Sequence, residues 1–155
     1  MKIDELLTSR HVPFQALHHP PAFTACRMAQ MLHVPGQEVA KPVLLRTGRG
    51  YVLVVVPANR FVDLQRIREW LGEEHVEMAC EDEMDQIFPN CDRGSIPPFG
   101  SIYRLHTLVD DSLAQDEEIV FQAGTHEEAI RMSYHDYEVV EHPLRGDFTY
   151  HGSTV

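Results

Sequence analysis

Lys41 is the residue whose type and position most invite chemistry. The chain carries eleven arginines but only two lysines, and the other, Lys2, stands at the start of the sequence. A strand over residues 39–45 would put Val39, Lys41, Val43 and Leu45 on one face, so a cation stands where the pattern asks for an apolar side chain. Pro42 has no amide hydrogen for a ladder, which places this end at a sheet edge or a strand start. Two readings follow. Lys41 is a cleft cation that binds a phosphate or carboxylate as a point charge. Alternatively, its stem lies on the core while the ammonium reaches water.

The second candidate is the segment 90–100, Asn-Cys-Asp-Arg-Gly-Ser-Ile-Pro-Pro-Phe-Gly. Loops of about this length without regular structure are uncommon and often functional. Gly94 lets a ligand approach the backbone, while Pro97 and Pro98 restrict the chain before binding. The amides of Gly94, Ser95 and Ile96 could converge on a carbonyl or oxyanion. The plainer alternative is a rigid connector whose Ile96 and Phe99 plug the core.

His126, after Gly124 and Thr125, is the third: a histidine behind a turn can titrate or hydrogen-bond a substrate, or be one of ten unremarkable histidines. The helical zinc pattern HExxH fails, because residue 130 is Ile. His18-His19 before Pro20-Pro21 reads as a turn, with no third ligand at metal spacing. Signatures of nucleophilic catalysis are missing: Ser95 is not in a G-x-S-x-G elbow, and no cysteine has a matching local signature. Gly48-Arg49-Gly50 lacks the third glycine of a dinucleotide fingerprint and opens a strand.

The elements that must position these residues can be read from pattern. Residues 4–10 suggest a short helix with Asp4 as cap, and 14–18 a strand. Thr24 caps a helix running to His33, stopped by Pro35-Gly36. Residues 39–46 and 51–56, linked by Thr47-Gly48-Arg49-Gly50, form a β-hairpin. Residues 63–71 are an amphipathic helix, 76–79 a strand and 81–88 a helix. Residues 101–109 and 118–123 read as strands. Thr125-His126-Glu127-Glu128 has the form of a capping box, but Ile130, Met132 and Tyr134 alternate with Arg131 and Ser133, so a single turn followed by a strand is expected. A short helix falls at 137–140. Helices and strands mix without βαβ alternation, so the class is α+β.

Composition narrows the function. The 155 residues are 43% hydrophobic and 24% charged, which suits one globular domain over residues 1–155. The apolar run 51–58 is far short of the ~20 residues of a membrane span. Residues 1–11 carry Asp4, Glu5 and Arg10 and have no secretory apolar core. Cys26, Cys80 and Cys91 form neither a disulfide framework nor a CxxC site, so a reducing cytoplasm is the expected setting. The net charge of −11 is not the basic footprint of a duplex binder, so DNA is not expected as a partner and any nucleic-acid contact is local.

Three separated pieces resemble one family. Val39-Ala40-Lys41-Pro42-Val43-Leu44-Leu45, with the apolar strand 52–56 and Pro57, looks like its lysine-bearing hairpin. Gly94-Ser95-Ile96-Pro97-Pro98-Phe99-Gly100 matches its Gly-x-x-x-Pro loop, with Pro98 the motif proline. Residues 121–130, Phe-Gln-Ala-Gly-Thr-His-Glu-Glu-Ala-Ile, look like its later Gly-rich segment. The family is the YbaK/prolyl-tRNA synthetase-associated domain, the free-standing relatives of the editing domain inserted in bacterial prolyl-tRNA synthetases. The Gly-Thr-His-Glu-Glu version is similar to its YeaK-type branch.

The resemblance implies an α+β fold with a mixed, mainly antiparallel central sheet flanked by helices, and no cofactor or metal. It implies a trans-editing hydrolase that removes a wrongly attached small amino acid (alanine, serine, threonine or cysteine) from the 3′ end of tRNA. By that analogy Lys41 holds the terminal adenosine through its phosphate, and the Gly94–Pro98 backbone, Gly94 and Ser95 above all, orients the aminoacyl carbonyl and α-amino group. The attacker is a positioned water helped by the ribose hydroxyl, since the family has no protein nucleophile. Ile96, Pro97 and Phe99 are expected pocket walls, with Pro98, Gly100, Gly124, Thr125 and His126 also at the substrate. Arg27, Arg46, Arg49 and Arg60 would form a local tRNA patch beside Lys41, and prolyl-tRNA synthetase is a candidate partner. The rivals are a non-catalytic cleft module that binds an amino acid, a nucleotide or a synthetase, and a small esterase acting on unrelated esters.

Overall fold

The computed structural model describes residues 2–151. Its framework is a five-stranded sheet centred on the hairpin of β2 (Ala40–Thr47) and β3 (Gly50–Pro57), paired antiparallel from Ala40 opposite Pro57 to Thr47 opposite Gly50. That register leaves only Gly48 and Arg49 as the link, shorter than the four residues the sequence suggests, and Gly50 takes φ 126°, open to glycine alone at little cost. β5 (Val76–Met78) adds antiparallel to β2, but only at Leu45–Thr47. β6 (His106–Asp110) joins β3 in parallel and β9 (Leu144–Gly146) joins β6 in parallel. The Lys41–Pro42 end of β2 therefore has β3 on one side and, among the described residues, no strand partner on the other. A residue without an amide hydrogen fits that open edge.

A second, antiparallel sheet is built from β1 (Gln15–His18), β8 (Glu128–Ser133) and β7 (Glu118–Gln122) in the order β1-β8-β7. A parallel bridge between Val39 and Val120 ties it to the first. β4 (Phe61–Val62) and β10 (Thr149–Tyr150) form a two-stranded ribbon. Five α-helices complete the set among the described residues: α1 (Ile3–Ser9), α2 (Ala25–Leu32), α3 (Leu64–Leu71), α4 (Glu81–Ile87) and α5 (Tyr134–Glu141). The expected α+β class and mixed sheet hold; five of the seven strand pairings among the described residues are antiparallel.

Alternation along the hairpin divides the core. Leu44, Leu53 and Val55 enter the main cluster with Phe99, Phe121, Ile130 and Tyr137. Leu45, Val54 and Val56 face the other way, beneath α3, with Ile67 and Phe148. Met28 and Ala29 seat α2 on Val39, Val120 and Ala129. Each large side chain so buried contributes ~1.5–3 kcal/mol, and Phe99, Phe121 and Tyr137 are fully buried with their rings edge-on.

Four local expectations need correction. Asp4 does not cap α1; Lys2 holds the cap position, and Asp4 lies in the first turn, where a carboxylate still complements the helix dipole. The strand expected over 101–109 begins only at His106. Gly100–Tyr103 is a 3₁₀ turn, because the buried Glu141 carboxylate accepts from Ser101 N at 3.0 Å, Ser101 Oγ at 2.5 Å and Thr107 Oγ1 at 2.5 Å. Tyr134 leaves the strand pattern because Ser133 Oγ accepts from Asp136 N and caps α5. Val39 lies outside β2 and packs with α2 instead of sharing a face with Leu45.

Candidate active site

Lys41 is half-buried at the open edge of β2. Its Nζ donates to the Arg60 carbonyl at 3.4 Å, and burial lowers its pKa from the ordinary lysine value, with nearby Cys26 pulling weakly the other way. The ammonium faces a cleft of about 200 Å³ lined by Phe23, Thr24, Ala25, Lys41, Pro42, Met84, Gly94, Ile96 and Gln122. Thr24 is the N-cap of α2, its Oγ1 accepting from Arg27 N at 3.1 Å. The positive end of that helix therefore abuts the same cleft as the lysine. A half-buried cation and a helix N-terminus at one place favour an anion.

The opposite wall is the 90–100 loop. Gly94 has φ +78°, and a Cβ there would lie 2.8 Å from the Phe23 carbonyl oxygen, so only glycine lets the two lips come this close. Ser95 is fully buried and ties the loop down through all its groups. Its amide donates to Asp92 O at 3.0 Å, its carbonyl accepts from Gly124 N at 2.7 Å, and its hydroxyl lies 3.4 Å from the Gln122 Nε2 donor. The expected trio of free amides loses its middle member: Ser95 N is spent, while Gly94 N and Ile96 N donate to no protein acceptor among the described residues. Ile96 walls the cleft and also an adjoining one of about 170 Å³ along α4, with Met84, Phe88 and an acidic rim of Glu81, Asp85 and Asp92.

The other sequence candidates divide. Phe99 lies in the core, not on a wall of the Lys41 cleft, because its ring packs against Phe121 and Tyr137. Pro98 fixes the loop by accepting from Tyr137 Oη at 2.8 Å. Gly100 leaves room for Thr107 Oγ1, which a Cβ would meet at 2.5 Å. Pro97, Gly124 and Thr125 line a different cleft of about 500 Å³, together with Lys2, Cys91 and Tyr103. His126 is a clamp between segments. Its Nε2 donates to Arg93 O at 2.5 Å, its amide donates to Asp92 Oδ2 at 3.2 Å, its carbonyl accepts from Ala22 N, and its ring meets Phe23 edge-on at 4.5 Å.

The arginine patch is not assembled. Arg46 is ion-paired with Glu77 at 2.6 Å and Glu83 at 2.7 Å, and Arg49 lies at the hairpin tip against Glu73. Five residues of strand separate Arg46 from Lys41, about 16 Å. Arg27 stands on α2 with its Nη1 on Gln30, and Arg60 is beside Lys41 through its carbonyl. No group of three His, Cys, Asp or Glu placed to hold a metal ion occurs among the described residues, and no helix among them is long and apolar enough to cross a membrane.

The sequence reading did not single out Phe23, Met84 or Gln122. Gln122 Nε2 bridges Ala22 O at 3.2 Å and Ser95, joining both lips. Phe23 precedes the Thr24 cap, where an apolar residue ordinarily staples onto its own helix; here it is 66% exposed. Its position before the cap was visible in sequence, but its exposure was not.

Residues 19–139 match the family model described as aminoacyl-tRNA editing domain. Prolyl-tRNA editing protein ProX of Acetoanaerobium sticklandii is 23% identical over 145 residues, covering 90% of this chain and 85% of that protein. Proline–tRNA ligase of Thermosipho melanesiensis is 28% identical over 74 residues, 48% of this chain and 13% of the ligase, so the chain corresponds to a small part of that enzyme. Among solved structures, a hypothetical protein superposes with TM-score 0.88 at 19% identity, over 97% of this chain and 100% of its own. A candidate trans-editing enzyme for prolyl tRNA synthetase superposes with TM-score 0.83 at 19% identity, over 96% and 94%. At such identities the structural likeness is one of fold.

Proposed function

The chain belongs to the aminoacyl-tRNA editing domain family, and on that footing we propose that it is a trans-editing aminoacyl-tRNA deacylase that removes a small amino acid from the 3′ end of tRNA. One observation carries the reading: half-buried Lys41, the N-terminus of α2 and the Gly94 turn face one cleft, and none of the side chains lining it is a serine, cysteine or histidine. The only hydroxyl there, Thr24 Oγ1, is engaged as the helix cap. Such a cleft suits binding an anion and orienting an already labile ester for attack by water.

In this mechanism Lys41 and the α2 N-terminus hold the terminal phosphate. The free amides of Gly94 and Ile96 polarise the ester carbonyl, and they stabilise charge on its oxygen as the tetrahedral centre forms. A water positioned beside the ribose hydroxyl attacks, the ester bond breaks, and the ribose oxygen leaves with a proton. Preorganisation supplies the rate, because no covalent enzyme intermediate is needed. Ile96 and Met84 bound the space for the amino-acid side chain, so selection is by size: alanine, serine, threonine and cysteine are the candidates, and larger side chains are excluded. The ProX and proline–tRNA ligase relatives make tRNA for proline the first charged species to try, and prolyl-tRNA synthetase the first protein partner.

The test is release of amino acid from tRNAs charged with alanine, serine, threonine or cysteine, wild type beside Lys41→Ala. Release above the spontaneous rate, lost in the variant, is expected for one or two species. No release from any of the four leaves the cleft as a binding module and refutes the deacylase reading. Equal rates on simple esters without adenosine would instead point to a general esterase.

A further inference from the structure

The β4–β10 ribbon presents two aromatic rings that the core does not use. Phe61 and Tyr150 are cross-strand partners whose rings stack at 5.7 Å with 27° between planes, yet Phe61 is 53% and Tyr150 46% exposed. Their strand neighbours go the other way: Thr149 is fully buried and Val62 packs beneath α3. A cross-strand aromatic contact is worth ~0.2–1 kcal/mol, a small return for two large rings left in water. The chain links the pair to the cleft lysine: the residue preceding Phe61 is Arg60, whose carbonyl accepts from Lys41 Nζ.

Of the two arginines at the ribbon, Arg66 is neutralised by Asp63 and Asp147, which leaves Arg60 as the cation available to an anionic partner. Arg46, Arg49, Arg66, Arg93 and Arg145 each have a carboxylate partner. Arg60, like Arg10, Arg27, Arg68, Arg104 and Arg131, has none among the described residues, and it is the one of these at the ribbon: its Nε donates to Thr149 Oγ1 at 2.6 Å and its Nη1 to His151 Nε2 at 2.7 Å, which fixes the guanidinium there. With a net charge of −11, the chain cannot hold RNA by a broad phosphate contact. Stacking is an interaction that net charge does not oppose, and it accepts any base because every base has a π-face.

We propose that Phe61 and Tyr150 form a stacking platform for an unpaired base of the tRNA acceptor end, with Arg60 at the adjoining phosphate, while the terminal aminoacyl-adenosine occupies the Lys41 cleft. This rests on the deacylase reading for its ligand and adds a second contact that holds the strand without reading its sequence. Phe61 and Tyr150 are binding residues in it and take no part in bond breaking.

Two measurements separate this proposal from the reading beneath it. In Phe61→Trp, the emission of the added indole is followed during titration with uncharged ACCA tetranucleotide. Saturable quenching is expected, with affinity weakened about fivefold or more when Tyr150→Ala is added. Next, Phe61→Ala and Phe61→Leu are assayed on charged tRNA and on a 2′(3′)-O-aminoacyl-adenosine, which has no second base. A rise in KM of about fivefold or more on tRNA, with kcat nearly constant and the adenosine ester unaffected, supports the platform. Lys41→Ala should instead depress both substrates. Unchanged KM on tRNA together with no quenching overturns the platform, leaves the rings to a protein partner, and does not touch the deacylase reading. If the wild type cleaves neither substrate, the deacylase reading falls and the quenching titration alone decides the platform. A thermal melt of Phe61→Leu, which keeps an apolar side chain, separates lost stacking from lost folding.

Discussion

Replacing Gly94 by alanine tests how the two lips of the cleft are held. The residue has φ +78°, a conformation that costs an L-residue ~1–2 kcal/mol. A Cβ there would lie 2.8 Å from the Phe23 carbonyl oxygen, so the lips must open by about 0.6 Å to reach ordinary contact at 3.4 Å. The obstacle is backbone, which cannot rotate away, and we assign it a further ~1 kcal/mol by analogy with overpacking. A total of ~2–3 kcal/mol lowers Tm by roughly 4–12 °C in a chain of this size. Because a misplacement near 1 Å can cost ~100-fold, kcat/KM on a charged tRNA should fall about tenfold or more. Gly72→Ala is the control: Gly72 has φ +69° with nothing within 4 Å of its added Cβ, so it carries the strain without the collision. Differential scanning fluorimetry and single-turnover deacylation read both variants. If Gly94→Ala melts no lower than Gly72→Ala and deacylates normally, the close approach of Gly94 to Phe23 does not set the cleft, and the reasoning fails.

Three further outcomes follow from the site and its surroundings. Because burial lowers the Lys41 pKa, wild-type deacylation above the spontaneous rate should fall on the alkaline side at a pH below 10.5, while Lys41→Arg, weaker overall, should not show that limb; coincident limbs would remove Lys41 from the charge-bearing step. His126→Ala should loosen the loop by ~1 kcal/mol through the lost bond to Arg93 O and lower kcat/KM; a melting temperature and kcat/KM both equal to wild type would remove the clamp. Asp116 is pushed up to about 6, first by burial and then by the charge of Glu38, and one of its oxygens is buried without a partner. The folded chain thus holds this proton more tightly than the unfolded chain, so stability is lost as pH rises from about 4 to 6 and stays lost above. Discounted for partial exposure, Asp116→Asn should gain ~1 kcal/mol at pH 7.5, about 2–4 °C in Tm, and nothing at pH 4; an equal gain at both would refute the linkage.

Local chemistry made much of this fold legible. Thr24 announced its helix by capping and residues 63–71 theirs by amphipathic spacing, while the Asp63 cap and the left-handed ends at His33 and Gly72 came from the structure. The hairpin showed through β-branched runs around a glycine turn, and alternation correctly displaced the capping-box reading at 125–128 in favour of a strand. The failures have a common cause. Residues 101–104 leave the strand because Glu141, 40 residues away, captures Ser101. The ribbon β4–β10 was not read at all, since two-residue strands have no period to detect. For the candidate site, sequence named Lys41 and the Gly94 loop, which line one cleft, but assigned walls to Pro97 and Phe99, which lie at a second cleft and in the core.

What the sequence determined by itself is the type of chemistry available: a lone interior lysine at a strand edge, a glycine and two prolines in an otherwise structureless loop, and no nucleophile with a base in local range. These are properties of residue type and near spacing, which backbone periodicity and turn geometry translate directly. The tertiary structure decided which of these groups share a space. The α2 N-terminus, Gln122, Met84 and the Gly94 turn come from segments up to about one hundred residues apart, and they meet at Lys41 through long-range packing that no local pattern encodes. It also decided which charges are spent, since Arg46 and Arg93 have carboxylates folded against them whereas Arg60 bonds to Thr149 and His151.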